Sequence, residues 1–266
     1  MTPQARPVLV VFDLVSTLTD AAPRYVQAFK DVCDLHGKPA PSAEELQEML
    51  GNKNLAEITE HFIGPMDAAQ KKKFMAECNH ACDALLTQPS WTENLYPHVK
   101  EAIETLSLRG VTLGIYTGTR EDALEAQLAY HNIGAYFNRR FVRGKDNTRD
   151  AGQSNRDLKA KQLRDIVQAF RTQVQNPQAQ VIVIGDSRAD AQAAADDGLL
   201  FVGFAADNAK REKMQKADVE NIMRDFADLP DMVERLIRPR ANDNQPALHQ
   251  GAKPRPTSGG RGLKPS

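Results

Sequence analysis

No CxxC pair occurs in this sequence, and its cysteines are only three, Cys33, Cys78 and Cys82. An odd, scattered set argues against a disulfide framework and for a reducing compartment. Cys78 and Cys82 lie one helical turn apart and read as small buried residues rather than a ligand pair. Long apolar runs are missing too. The longest are strand-sized, such as VLVVF, far short of the roughly 20 residues a membrane-spanning helix needs. A strong net charge is absent: at −1, no global field draws the chain to nucleic acid or to a membrane surface. The start, MTPQARP, carries one Arg before a short apolar run that ends at an aspartate, with no small-residue cleavage site, which makes a poor signal peptide. The expectation is a soluble, cytoplasmic protein with a small-molecule ligand. Oligomeric state is not readable.

What is present is a core-building pattern. The hydrophobic share, 41%, is slightly low but sufficient. Three stretches read as strands covered on both faces, because each is a continuous apolar run rather than an alternating one: Pro7–Asp13, Val111–Gly118 and Gln180–Ser187. Helical patterns separate them, at His98–Arg109, Arg120–Asn132 and Lys159–Gln173. A further helix is expected at Asp190–Asp197, a short strand at LLFVGF, and a closing helix at Val219–Ile237. This alternation predicts an α/β fold, a doubly wound, Rossmann-like parallel sheet. Residues 21–91 show helical patterns only, including a long amphipathic stretch from Asp67 to Leu86. They read as an inserted all-helical cap domain between the core segments 1–20 and 92–237. An insertion directly after the first strand lands at the sheet edge where open α/β folds bind ligands. From residue 238 to 266 the chain is rich in Pro, Gly, Gln and Asn and is expected to be a disordered tail.

The three strands end in polar groups. The first ends in Asp13, with Thr17 following. The second ends in Thr117 and Gly118, the third in Gly185, Asp186 and Ser187, with Asp190 one turn later. In a parallel sheet such ends converge on one crevice. Single aspartates there could be caps; three such ends in one chain, two carrying carboxylates, are harder to explain that way. Clustered carboxylates need a cation between them, and an all-oxygen set without His or Cys suits Mg²⁺ rather than zinc. Lys159 and Lys161, in NRDLKAKQL, supply positive charge at the same edge for an anionic substrate.

These residues together resemble the motifs of the haloacid dehalogenase-like hydrolase superfamily, in the branch with a helical cap after the first strand. Asp13-Leu14-Val15-Ser16-Thr17 is similar to the first motif, Asp-x-Asp-x-Thr. Thr117 matches the second, Lys159 the third (with Lys161 as rival), and Gly185-Asp186-Ser187-Arg188-Ala189-Asp190 the fourth. The resemblance implies a Mg²⁺-dependent hydrolase whose nucleophile, Asp13, forms a covalent aspartyl intermediate. It implies that Thr117, Gly118 and Lys159 bind the phosphoryl oxygens. It also implies that Asp13, the Val15 carbonyl and Asp186 hold the metal, with Asp190 supporting the metal shell or orienting the lysine.

Val15 departs from the pattern. The family's phosphatases carry a second aspartate there, as general acid and base, and valine can do neither. Three readings stay open. A substrate with a good leaving group needs no acid. A non-ester reaction, phosphonate or carbon–halide cleavage, also dispenses with it, and Lys53 after Met49-Leu50-Gly51 is a candidate Schiff-base lysine for the phosphonate case. A catalytically weak binding or regulatory protein is the third.

Overall fold

Valine- and isoleucine-rich runs that alternate with amphipathic helices have one economical arrangement, a central parallel sheet with helices on both faces. The computed structural model of the chain describes residues 7–52, 55–86, 88, 91–146, 150 and 154–238. Lys53 and the tail beyond 238 lie outside the described residues. The chain enters through β1 (Val8–Asp13) and then forms four helices, α1 (Ala22–Leu35), α2 (Ala43–Asn52), α3 (Leu55–Ile63) and α4 (Ala68–Leu86). It continues through α5 (Val99–Leu108), β2 (Thr112–Arg120), α6 (Glu121–Tyr130), β3 (Val142–Lys145), α7 (Asn155–Gln173) and β4 (Gln180–Gly185). The last part is α8 (Arg188–Asp196), β5 (Leu200–Phe204), α9 (Asn208–Lys216), β6 (Ile222–Met223) and α10 (Leu229–Ile237). The strands pair in the order β3-β2-β1-β4-β5-β6, all parallel.

Alternate residues of a strand point to opposite faces, so each central strand feeds two cores. Val10 and Phe12 of β1 and Ile182 and Ile184 of β4 join Ile103, Leu106 and Val233 from α5 and α10. On the other face Leu9, Val11, Val181 and Val183 meet Ile166 and Phe170 of α7. Every residue of β1 is buried. Each large apolar side chain so covered contributes about 1.5–3 kcal/mol, which fixes the strand ends in place.

The expected α/β core and all-helical insertion are both present. Phe29, Val32 and Cys33 of α1 pack with Phe74 and Cys78 of α4, and the Phe29 and Phe74 rings meet edge-on at 5.5 Å. All three cysteines are buried and free. Burial pushes the Cys78 thiol up to about 12, so it stays protonated and serves as a small apolar group.

Three elements differ from the sequence expectation. β3 is four residues of VRGK, too polar and short to register as an apolar run, and it pairs only at the sheet edge. In α9 only Met214 is buried, so it lacks an apolar stripe. The expected helix Val219–Ile237 is replaced in its first half by β6, which pairs with Gly203 and Phe204 of β5. A 3₁₀ turn capped by the Asp225 side chain follows. The helix proper starts only around Pro230, as a proline's preference for the first helical turn requires.

Two linkers join the insertion to the core, and they run side by side. Asp20 N–H donates to the Asn94 carbonyl at 2.8 Å and Tyr96 N–H to that of Leu18 at 2.9 Å. A buried cluster locks them: Arg24 Nε lies 2.7 Å from Glu93 Oε1, and Thr19 Oγ1 donates to Glu93 Oε2 at 2.8 Å. Burial raises the Glu93 pKa, and Arg24 works against that rise. Removing one partner of such a pair strands the other in a low-dielectric site. We expect Arg24→Met to destabilise the protein by about 3 kcal/mol in denaturant unfolding, and Glu93→Gln, which keeps a hydrogen-bonding side chain, to cost less.

Candidate active site

Strand register alone brings three polar segments together. Asp13 pairs with Tyr116 on β2, so Thr117 follows immediately beside it. Phe12 pairs with Ile184 on β4, which puts Gly185 and Asp186 on Asp13's other flank. After Asp13 the chain turns sharply. The N–H groups of Thr17, Leu18 and Thr19 all converge on the Leu14 carbonyl, and Ser16 takes a left-handed backbone with φ 60°, an uncommon choice for a residue with a side chain.

The fourth segment is held by a helix start. Ser187 caps α8 by accepting from Asp190 N–H, while its own N–H donates to the Asp190 carboxylate, a reciprocal capping box. Only glycine fits at 185. A Cβ there would come within 2.5 Å of the Asp190 Cβ, so a side chain would push α8 off the strand end.

Lys159 is the cation at the centre. Its Nζ lies 3.0 Å from Asp13 Oδ1 and 3.1 Å from Asp190 Oδ1. Asp190 is fully committed: Oδ1 also accepts from the Tyr116 hydroxyl at 2.9 Å, and Oδ2 from the Ser187 hydroxyl at 2.6 Å. Lys161 is elsewhere, 3.7 Å from Asp150 and 43% exposed. Two residues along a helix is a rotation of about 200°, so the two lysines cannot share a face.

Oxygens of Asp13, Asp186 and Asp190 lie within 4.8 Å of one another. Burial raises the Asp13 pKa to about 8, with Lys159 lowering it and Asp190 and Asp186 raising it. Burial likewise raises that of Asp186. Lys159 is pulled down by burial, but Asp13, Asp190 and Asp186 outweigh this and hold it above the ordinary lysine range. Thr17 Oγ1 stands 3.4 Å from Asp13 Oδ2 and 3.5 Å from Asp186 Oδ1. The donor set is all oxygen, with neither His nor Cys, and it is over-negative. Both properties fit a hard divalent cation such as Mg²⁺.

Thr117 is fully buried; its hydroxyl accepts from Thr119 N–H and donates to Thr119 Oγ1, both at 3.2 Å. A residue not singled out from the sequence holds this segment. Gln162 accepts from Thr117 N–H at 3.1 Å and donates to the carbonyls of Thr117 and Gly144, at 3.1 and 2.9 Å. It sits three residues after Lys159 on α7, hence on the same face, and that spacing was the available signal. Tyr116 and Lys210 were also missed. A tyrosine inside a buried run asks for a hydroxyl partner. Lys210, whose Nζ is 2.7 Å from Asp186 Oδ2, left no trace in the pattern.

A cavity of about 500 Å³ opens over these groups. The core supplies Asp13, Val15, Thr117, Gly118, Lys159 and Asp186; the helical insertion supplies Tyr25, Asn79, Cys82 and Asp83. Val15 is half-buried, packed against the core cluster on one side and facing the cavity on the other.

A model of the family described as haloacid dehalogenase-like hydrolase matches residues 8–197, which hold every one of these groups except Lys210. The chain belongs to the haloacid dehalogenase-like hydrolase family. Its curated relatives include a phosphoglycolate phosphatase of Pseudomonas fluorescens, 26% identical over 207 residues, 76% of this chain and 71% of that protein. A phosphoglycolate phosphatase of Pseudomonas putida is 29% identical over 206 residues, again 76% and 71%. Among solved structures, a haloacid dehalogenase-like hydrolase from Streptococcus pneumoniae superposes with TM-score 0.62 at 18% identity, covering 85% of this chain and 98% of that one. A family hydrolase from Geobacter sulfurreducens gives 0.57 at 17%, covering 88% and 100%. At that identity the structural likeness speaks to the fold.

The raised pKa of Asp13 has a stability consequence. Its folded value, about 8, lies above the unfolded value of about 3.9. The folded state therefore binds the extra proton, and the stability this gives is complete below pH ~4 and lost as pH rises through about 8. In a chelator, thermal unfolding of this hydrolase should shift to lower temperature from pH 5 to pH 8, and Asp13→Asn should flatten that decline.

Proposed function

We propose that this protein is a Mg²⁺-dependent phosphatase-type hydrolase that acts on a small phosphorylated substrate through a covalent intermediate on Asp13. The observation that carries this reading is the buried Asp13–Lys159–Asp190 chain at the floor of a cavity beside Asp186 and Thr117. The phosphatase names of its relatives support it.

Asp13 and Asp186 and the Val15 carbonyl would hold the metal, which when bound supplies charge that keeps Asp13 ionised and neutralises a phosphoryl group. Asp190 acts on Lys159 instead, since both its oxygens are already taken. Lys159, Thr117 and Gly118 bind the non-bridging oxygens. An Asp13 oxygen attacks phosphorus, the bond to the leaving oxygen breaks, and that oxygen departs with the electron pair. Water then attacks the aspartyl phosphate, releasing inorganic phosphate and regenerating Asp13.

Val15 decides which substrates suit this site. With no carboxyl beside Asp13, the leaving oxygen receives no proton from that position. Acyl and aryl phosphates, whose leaving groups are stable as anions, therefore turn over better than alkyl phosphates. The phosphonate variant rests on Lys53, which lies outside the described residues, and no observation favours it.

Phosphate release should be measured on acetyl phosphate, p-nitrophenyl phosphate and phosphoglycolate, with Mg²⁺ and with chelator. Wild type should work with Mg²⁺ on the first two and Asp13→Asn on none. Val15→Asp should raise the rate on phosphoglycolate by about 10²-fold or more, the usual scale of general acid–base catalysis. If wild type and Asp13→Asn are equally inert on the whole panel, the hydrolase reading of the site fails.

A further inference from the structure

Lys210 is the strongest feature that the proposed reaction does not use. It sits in the first turn of α9, whose start is capped by Asp207, the Asp207 side chain accepting from Lys210 N–H at 2.7 Å. From there its side chain reaches back over the end of β4, and Nζ meets Asp186 Oδ2 at 2.7 Å. Neither group is loosely placed: the side chains are 21% and 13% exposed.

The charges divide in a telling way. Of the three clustered carboxylates, Lys159 serves Asp13 and Asp190. Asp186 is left to Lys210. An ammonium 2.7 Å from a carboxylate oxygen lies close to any cation bound by the same carboxylate, and the two repel. The stem of Lys210 is long and flexible, and the side chain already borders a second cavity, of about 740 Å³ between α8 and α9, into which it can withdraw.

We infer that Lys210 is a tethered counter-cation for Asp186: it neutralises the site when no metal is present and must be displaced when the metal binds, so it sets how tightly the metal is held. This rests on the reading of Asp186 as a metal ligand. It makes Lys210 a positioning residue that acts through Asp186 and not on substrate. Two consequences are opposite in sign. Losing the ammonium should weaken the metal-free protein, since three carboxylates then share one lysine. The same loss should strengthen metal binding, because the ion no longer competes for Asp186.

The test is calorimetric titration of Mg²⁺, checked with Mn²⁺ by electron paramagnetic resonance, on wild type, Lys210→Met, Lys210→Arg and Asp186→Asn. Thermal unfolding of each is followed with and without metal. Lys210→Met should bind Mg²⁺ about tenfold tighter, the scale of one charge contact in a partly exposed site. Its metal-free unfolding temperature should fall and its rise on adding Mg²⁺ should exceed that of wild type. Lys210→Arg, which keeps the charge, should stay near wild type. Equal or weaker Mg²⁺ binding by Lys210→Met, with Asp186→Asn having lost it, overturns the counter-cation role while leaving the metal reading intact. If wild type itself binds no Mg²⁺ or Mn²⁺ at millimolar concentration, the metal reading falls and the inference with it.

Discussion

Three carboxylates held within 4.8 Å of one another under a protein surface are the constraint on which the rest of this molecule turns. Carboxylates so placed repel, and burial denies them the water that would make the repulsion cheap. The chain meets this with two lysines from separate helices, Lys159 on α7 and Lys210 on α9. The compensation is incomplete. A site that is one charge too negative suits a divalent cation, and burial lifts the pKa of the Asp13 carboxyl to about 8.

The scaffold around this cluster does positional work at every step. Parallel register fixes Asp13 between the ends of β2 and β4. The Ser187–Asp190 capping box and the bare backbone of Gly185 let the first turn of α8 settle over the strand end. Gln162 holds Thr117 to the end of β3 through three hydrogen bonds. The buried Thr19–Arg24–Glu93 cluster then sets the helical insertion over the same crevice.

Val15 sits at the meeting of these two layers. One side of it belongs to the hydrophobic core and the other to the cavity. The insertion presents Tyr25, Cys82 and Asp83 to the same space. Under the proposed reaction, Val15 bears on the leaving group rather than on Asp13.

The sequence by itself determined the parallel α/β core with its central strands, the helical insertion and the convergence of Asp13, Thr117, Lys159, Asp186 and Asp190. Apolar runs of strand length, their polar C-terminal ends and the spacing of the motifs are local signals, carried by consecutive residues. Only the tertiary structure decided between Lys159 and Lys161, because that choice depends on which face of α7 meets the sheet. It alone revealed β3, β6 and α9, whose polar or very short segments are stabilised by edge pairing and by single contacts such as Met214. Tyr116, Gln162 and Lys210 also emerged only in three dimensions. Their partners lie 74, 45 and 24 residues away in the chain; a tyrosine in a buried run or a glutamine one turn after Lys159 can signal that a partner exists but not which residue it is.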